Sequence, residues 1–345
     1  MKLIIQIPCL NEREHLGPTF ADLPREVPGV DAIEVLVIDD GSTDGTAEVA
    51  ESLGVHHVLR FPRNRGLAAA YVAGLDAAIR LGADLVVNTD ADNQYRGVDI
   101  ARLCAPILAG EADMAVGDRQ TDSIPHFSIL KKILQRWGSR VVRRASGTEV
   151  RDSTSGFRAL SRRAAATLFV HNRFTYTLET IIQAGNAGLT IVDVPITVNP
   201  QTRPSRLFRS MFGYVRRNAG VIVRAYVLYR PVQTFGLLAL AIAAIGVALG
   251  GRFLYFYISR WPAESGHTES LLVAVGAVVL AFLVGLMGFL GDLLARGRRL
   301  TEEVLIRQRL GDGERADAIA AAGGVPRAPG VRRSAAPTWR RGGDR

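Results

Sequence analysis

Two long runs of apolar residues in the last third of the chain limit most sharply what it can fold into. Residues 232–250 hold only Gln233 and Thr234 as polar side chains, both near the start, and residues 271–291 hold no charge at all. Each run approaches the roughly 20 residues that a helix needs to cross a bilayer. Two such runs in succession rarely occur in a soluble domain, so a two-helix transmembrane hairpin is expected over residues 231–293. Arg206, Arg209, Arg216, Arg217, Arg224 and Arg230 precede the first run, and Arg296, Arg298 and Arg299 follow the second. The connecting segment sets Arg252 and Arg260 against Glu264 and Glu269. This asymmetry predicts that both ends of the hairpin lie on the cytoplasmic side. The aromatics Phe253, Tyr255, Phe256, Tyr257 and Trp261 suit the far interface. Gly236, Gly246, Gly250, Gly276, Gly285 and Gly288 permit close helix packing, and with it a homo-oligomer.

Residues 1–204 alternate between strand-like and helix-like patterns. Strands are expected at 3–7, 33–38, 57–60, 85–88 and 114–117, with helices at 47–53 and 67–81. This rhythm predicts an α/β domain with a mainly parallel sheet and helices on both faces. The apolar stretch Leu3-Ile4-Ile5 soon meets Gln6 and Pro8, too short for the core of a signal peptide, and none is expected. Cys9 and Cys104 form no disulfide framework and no zinc spacing, so both read as core residues. Lys and Arg outnumber Asp and Glu, 42 to 33, for a net charge of +9. That balance suits an anionic membrane surface or substrate. The basic residues sit beside the membrane segments rather than on a recognisable nucleic-acid reader, so lipid head groups are the simpler partner. Residues 129–144 read as a basic amphipathic helix, and 205–230 as a basic juxtamembrane segment. The 294–345 tail is rich in Ala, Gly, Pro and Arg and is expected to be disordered from about residue 311.

Polar residues cluster where strands end. Ile7-Pro8-Cys9-Leu10-Asn11-Glu12 follows the first strand, and Asp39-Asp40-Gly41-Ser42-Thr43-Asp44-Gly45-Thr46 the second. Arg63-Asn64-Arg65-Gly66 opens a helix, and Asp90-Ala91-Asp92-Asn93-Gln94 follows the buried run Leu85-Val86-Val87. In an open α/β sheet, ligands bind at the carboxyl ends of the strands. Acidic groups there can accept hydrogen bonds from base N–H groups and ribose hydroxyls. Arginines at a helix start favour a diphosphate. Asp90, Asp92 and Gln94 offer hard oxygen ligands suited to Mg²⁺ or Mn²⁺. Each phrase alone is also an ordinary polar turn.

Taken in order, Pro8-x-x-Asn11-Glu12, Asp39-Asp40-Gly41-Ser42-x-Asp44-Gly45-Thr46, Asn64-x-Gly66 and Asp90-x-Asp92-x-Gln94 resemble family 2 glycosyltransferases with the Rossmann-like GT-A fold. The set is similar to the polyprenyl-phosphate branch, which includes dolichyl-phosphate mannose synthase and relatives with a membrane hairpin. The resemblance runs from Lys2 to about Gly291. It implies that Pro8, Asn11, Glu12, Asp39, Asp40, Asn64, Gly66, Asp90, Ala91, Asp92 and Arg203 bind the nucleotide sugar. It further implies a metal at Asp90, Asp92 and Gln94, and an acceptor phosphate at Arg119, Arg136 and Ser139. Asp152, before Ser155-Gly156-Phe157-Arg158, resembles an acidic residue proposed as a base in relatives. With Arg119 and Asp92 it completes the expected catalytic set. Glu179 is a further carboxylate of open role, either in the site or in a helix first turn.

The implied reaction is inverting transfer of one hexose from a nucleoside diphosphate sugar, such as GDP-mannose or UDP-glucose, to polyprenyl phosphate at the cytoplasmic membrane face. Processive relatives carry Gln-x-x-Arg-Trp and more spans. This chain has Gln135-Arg136-Trp137 without the intervening pair and only two spans, which favours single transfer. A phosphate acceptor is already nucleophilic and needs positioning more than deprotonation. Asp152 therefore stands open as a base or an orienting group. Two rivals remain at this point: transfer to a lipid or glycan hydroxyl, and a silent nucleotide-sugar-binding membrane adaptor.

Overall fold

The computed structural model describes residues 1–120, 146–170, 176–200, 229–259, 268–334 and 339–340, with isolated positions 143, 220, 223 and 227. The chain divides into two compact units, Met1–Ile222 with Val304–Arg345, and Val223–Glu303.

The first unit is an α/β sandwich around one sheet. Among the described residues, β1 (Lys2–Cys9), β2 (Ala32–Asp39), β3 (His57–Arg60), β4 (Leu85–Asn88), β5 (Met114–Asp118) and β7 (Ile191–Pro195) run parallel, while β6 (Arg158–Ser161) lies antiparallel between β4 and β5. The order across the sheet is β7-β5-β6-β4-β1-β2-β3, with β8 (Val331–Arg333) beyond β3 and β9 (Trp339–Arg340) on β2. Strands β1, β2 and β4 are almost wholly buried, as expected where helices cover both faces of a parallel sheet. The helices of this unit are α1 (Leu16–Asp22), α2 (Thr46–Ser52), α3 (Leu67–Arg80), α4 (Asp99–Leu108), α5 (Arg162–Thr167) and α6 (Thr177–Asn186).

One polar line runs through this apolar interior. Gln6 of β1 donates to Asn88 Oδ1 of β4 at 2.9 Å, and Asn88 donates to Gly156 O and Tyr176 Oη at 2.8 and 2.9 Å. Helix α3 crosses over it closely. A Cβ on Gly74 would lie 2.3 Å from Gln6 Oε1, so only glycine allows this approach. The Tyr71 ring of α3 stacks on Tyr176 with centroids 3.8 Å apart. The expected strands and the two expected helices are present. The antiparallel β6, the parallel β7 and helices α1, α4, α5 and α6 are additions.

In the second unit, α7 (Pro231–Ser259) and the first part of α8 (Thr268–Ala321) are both long and apolar enough to cross a membrane. Their large side chains lie bare: Leu237, Val247, Leu272 and Phe282 are each about 70 % exposed, at 71, 69, 74 and 70 %. Such a surface associates with lipid. Small residues bring the two helices together, Gly246 against Ala274 and Val278, and Gly288 against Phe235.

The expectation that the tail is disordered from about residue 311 is corrected. Helix α8 continues to Ala321, and β8 pairs antiparallel with β3. The charges that suggested a solvated tail are spent on the first unit. Arg309 meets Asp76 at 2.8 Å, Asp312 meets Arg80 at 3.0 Å, and Asp317 meets Arg162 at 3.0 Å.

Candidate active site

The carboxyl ends of β1, β2, β4 and β5 open on one edge of the sheet, and the acidic motifs lie there. The loop after β1 is braced to the loop after β2. Asn11, in the left-handed region at φ 55°, donates its N–H to Ser42 Oγ and accepts from Thr43 N–H through its side chain, both at 2.9 Å. Glu12 N–H donates to Thr46 Oγ1 at 3.0 Å. Asp39 Oδ1 accepts from Ser42 N–H at 2.8 Å. Its Oδ2 is buried and makes no hydrogen bond among the described residues, with Arg60 Nε 3.2 Å away. Arg60 therefore balances the charge of this oxygen without meeting hydrogen-bond geometry.

Asp40 turns the other way and pins the start of α3. Its two oxygens accept from Arg65 and Gly66 N–H at 2.7 and 2.9 Å. Burial nevertheless raises its carboxyl above the ordinary aspartate value. Between these loops Gly41 sits at φ 76°, and a Cβ there would lie 2.5 Å from the Arg63 carbonyl carbon and 2.6 Å from Asn64 N. The Asp40-Gly41 and Arg63-Asn64-Arg65-Gly66 segments thus form one clasped wall. Pro8 is buried in β1 beside Ile38, and the Ala91 carbonyl accepts from Thr19 Oγ1 of α1 at 2.8 Å, fixing the loop after β4.

Asp90 and Asp92 differ in their surroundings. Burial, followed by the neighbouring Asp92 charge, pushes the Asp90 carboxyl up to about 7. Arg119 and Arg158 oppose that rise only in part. Gly156 lies against it; a Cβ there would come within 3.1 Å of Asp90 Oδ2 and 2.9 Å of Tyr176 Oη. Asp92 is gripped by Gln94, whose Nε2 donates to Oδ2 at 2.9 Å and whose N–H donates to Oδ1 at 3.2 Å. Gln94 thereby orients Asp92. The loop is strapped from outside by Asn199, which donates to Gln94 O and Asn93 O at 2.8 and 2.9 Å.

Two carboxylates of this kind fit a Mg²⁺ or Mn²⁺ that takes its remaining ligands from water and a diphosphate. No three His, Cys, Asp or Glu side chains among the described residues converge as a closed cage. The Asp90 carboxyl, disfavoured as an anion by desolvation and by its like-charged neighbour, is the feature that a divalent cation would relieve.

Arg119 follows β5 and Asp152 lies opposite. Nε donates to Oδ2 at 2.7 Å and Nη2 to Oδ1 at 3.0 Å, with a further bond from Nη2 to Thr154 Oγ1 at 2.8 Å. Thr154 also donates to Asp152 Oδ1 through Oγ1 at 3.0 Å. Burial alone would raise Asp152, but the Arg119 charge and these donors hold it below the usual carboxylate range. Asp152 accepts two bonds from the Arg119 guanidinium and one from Thr154 Oγ1, a geometry that can orient Arg119.

Arg158 supports this arrangement from below. It is fully buried, with Nε donating to Ser155 O at 2.9 Å and Nη2 to Ser153 O and Thr177 O at 3.2 and 2.8 Å. Its guanidinium also bonds Thr180 Oγ1 and lies over the Tyr176 ring. It ties the Ser153–Ser155 turn to α6. Glu179 lies in the first turn of α6 and is largely buried. Cys9 and Cys104 are buried core residues, and burial pushes both thiols up.

Asp92, Glu12, Arg119 and Arg158 are all close enough to bear on the charge of Asp90. Arg136, Ser139 and Arg203, together with the basic segments at 129–144 and 205–229 except for isolated positions, lie outside the described residues. Residues not anticipated include Thr154, Gly156, Tyr176 and Tyr95, whose hydroxyl accepts from Gly156 N–H at 3.1 Å. The only prior signal was the dense Asp152-Ser153-Thr154-Ser155-Gly156 polar run, which resembles a turn.

Residues 4–169 match the profile described as Glycosyl transferase family 2. The polyprenol monophosphomannose synthase of Mycolicibacterium smegmatis is 30% identical over 207 residues, 57% of this chain and 77% of that one. The undecaprenyl-phosphate mannosyltransferase of Micrococcus luteus is 30% identical over 207 residues, 57% of this chain and 83% of that one. Among solved structures, glucosyl-3-phosphoglycerate synthase from Mycobacterium tuberculosis, bound to Mn²⁺, UDP and glucosyl-3-phosphoglycerate, superposes with a TM-score of 0.50 at 20% identity, covering 66% of this chain and 78% of that one. That likeness shows the GT-A fold. The chain belongs to glycosyl transferase family 2 and is a glycosyltransferase with a GT-A catalytic domain.

Proposed function

We propose that this protein transfers a single hexose from a nucleoside diphosphate sugar to polyprenyl phosphate, with inversion, at the cytoplasmic face of a membrane. The observation that carries the reading is the Arg119–Asp152 pair. A hydroxyl acceptor needs a base to take its proton, and such a base works best with a pKa near the operating pH. Asp152 is instead held as a low-pKa anion by two guanidinium bonds. An acceptor that arrives already anionic needs no base, and Arg119 is a cation presented for it. Two relatives of this chain act on polyprenyl phosphates by name, and the bare apolar helices suit a lipid-borne acceptor.

In this reading Asp39, through its buried Oδ2, accepts from the nucleoside, and the clasped Asp40–Gly66 wall holds its shape. Mg²⁺ or Mn²⁺ at Asp90 and Asp92 would neutralise the diphosphate as it leaves. Gln94 keeps Asp92 turned to that position. Arg119 orients the acceptor phosphate toward the anomeric carbon, on the side away from the diphosphate, so the lipid oxygen forms its bond as the sugar–phosphate bond breaks. Arg136, Ser139 and Arg203 are assigned to the phosphates on their sequence resemblance. The test is a donor screen with purified full-length protein, Mn²⁺ and polyprenyl phosphate. A hexosyl-phosphoryl-polyprenol product that needs Asp92 supports the reading; transfer only to a hydroxyl lipid overturns it.

A further inference from the structure

The C-terminal segment, read from composition as a loose tail, is part of the catalytic unit and ends at the donor side of the site. Three ion pairs and the stacking of Arg309 over Phe169, 4.1 Å from the ring centre, seat the end of α8 on α3 and the segments flanking α5. The chain then turns through Gly330, at φ 74°, into β8. There Val331, Arg332 and Arg333 pair with Leu59, Val58 and His57 of β3.

Strand β3 has only four residues, and without β8 it would be bonded on one side alone. Its last residue is Arg60. Arg60 Nε lies 3.2 Å from Asp39 Oδ2, and Nη1 donates to Glu48 Oε1 at 2.8 Å. The next residue, Phe61, donates its N–H to Asp39 O at 2.8 Å. Arg60 at the Asp39 carboxylate and Phe61 at the Asp39 backbone carbonyl are therefore carried by, or follow directly on, the strand that β8 holds. Gly330 and Arg332 also face Gly41, Thr43 and Phe61 across a cavity of about 530 Å³, within the usual range for small-molecule sites.

We propose that β8 is a positioning element of the donor site: by pairing with β3 it fixes Arg60 and Phe61 beside Asp39, where the nucleoside of the donor binds. This rests on the assignment of Asp39 to the nucleoside. Ordering two side chains before binding lowers the cost of binding, and the expected effect is roughly five- to tenfold in affinity.

The test compares the full chain, a truncation lacking residues 325–345, and Arg332→Pro, which removes the N–H of the hydrogen-bonded Arg332–Val58 pair, set against Arg332→Ala, which loses the same side chain and keeps that N–H. All retain the ion-paired end of α8. UDP and GDP binding with Mn²⁺ is measured by calorimetry, and donor KM, acceptor KM and kcat with whichever donor is active. The expected result for the truncation and Arg332→Pro is about five- to tenfold weaker nucleotide binding and a matching rise in donor KM, with kcat and acceptor KM within about twofold. Nucleotide affinity in Arg332→Pro equal to that in Arg332→Ala overturns the proposal, as does an equal loss across kcat and both KM values. If the truncation does not fold, Arg332→Pro against Arg332→Ala decides alone. If neither nucleotide binds the full chain, the assignment of Asp39 fails and this inference falls with it. Binding by the full chain with no change in the variants overturns only the role of β8.

Discussion

Arg119 grips Asp152 with two nitrogens, Nε at 2.7 Å from Oδ2 and Nη2 at 3.0 Å from Oδ1, while Thr154 bonds both partners. Asp152 is almost wholly buried, and Arg119 keeps a quarter of its side chain exposed. The pair therefore presents one cation to the site and hides its counter-ion.

Asp152→Asn keeps the shape and one acceptor but loses the charge. It is expected to retain measurable turnover with a raised acceptor KM. Asp152→Ala leaves Arg119 unpaired and costs about 3 kcal/mol of stability. Because the folded carboxyl sits below its ordinary value, its stabilising contribution is present above the unfolded pKa of about 3.9 and is lost as the pH falls through the folded value. Wild-type rate thus shows no inflection from Asp152 between about pH 6 and pH 9. Steady-state kinetics across that range check this, and complete loss of turnover in Asp152→Asn with normal acceptor binding would identify a base instead.

The two acidic residues after β4 should bind a divalent cation as a unit. Asp90→Ala and Asp92→Ala are each expected to abolish the Mn²⁺-induced rise in thermal midpoint. Gln94→Ala, which only frees Asp92 to turn, weakens Mn²⁺ binding by about tenfold. Thermal shift over a Mn²⁺ titration reads all three. Equal Mn²⁺ response in the parent and Asp92→Ala would remove Asp92 from the metal site.

Asp193 gives a pH-dependent stability outside the site. Burial pushes its carboxyl up to about 6, against one compensating bond from Arg151 N–H at 2.8 Å, and its Oδ1 makes no hydrogen bond among the described residues. A raised acid stabilises the fold below its unfolded pKa and loses that contribution as the pH rises through the folded value. Stability should therefore fall between about pH 4 and pH 6. Asp193→Asn removes this loss, making the variant more stable than the parent by about 1–2 kcal/mol above pH 7 and equal to it near pH 4. Unfolding midpoints at both pH values test it; a difference independent of pH contradicts it.

Gly41 and Gly110 both have positive φ, 76° and 74°, but only Gly41 is crowded. Gly110→Ala meets nothing within 4 Å and carries the left-handed strain alone, about 1 kcal/mol. Gly41→Ala adds a collision with the Arg63–Asn64 backbone and is expected to cost about 3 kcal/mol or more and to raise donor KM. Comparable losses in the two variants would show that the clasp between the loops has slack.

The parallel strands β1 to β5 were legible because each is an apolar run ending in polar residues; β7 was not, because Asp193 interrupts it and Pro195 ends it. The acidic motifs after β1, β2 and β4 were legible because a sheet delivers strand ends to one edge. Strand β6 was hidden: Arg158-Ala159-Leu160-Ser161 is short, and its arginine reads as surface until Ser153, Ser155, Thr177 and Thr180 supply its four buried acceptors. Gln94 reads in sequence as a metal ligand; its two bonds to Asp92 were not legible, because composition cannot say which end of an amide faces a neighbour. The C-terminal strands were missed for a related reason. Arg309, Asp312 and Asp317 look solvated in sequence, and their partners Asp76, Arg80 and Arg162 lie more than a hundred residues away.

The central claim is that the acceptor is a lipid phosphate. The most direct measurement supplies purified protein with Mn²⁺, a panel of labelled nucleoside diphosphate hexoses, and either polyprenyl phosphate or the matching free polyprenol. Product should form from polyprenyl phosphate with at least one donor, be absent with polyprenol, and disappear in Asp92→Ala. Transfer to polyprenol at a similar rate, or product that survives Asp92→Ala, would contradict it.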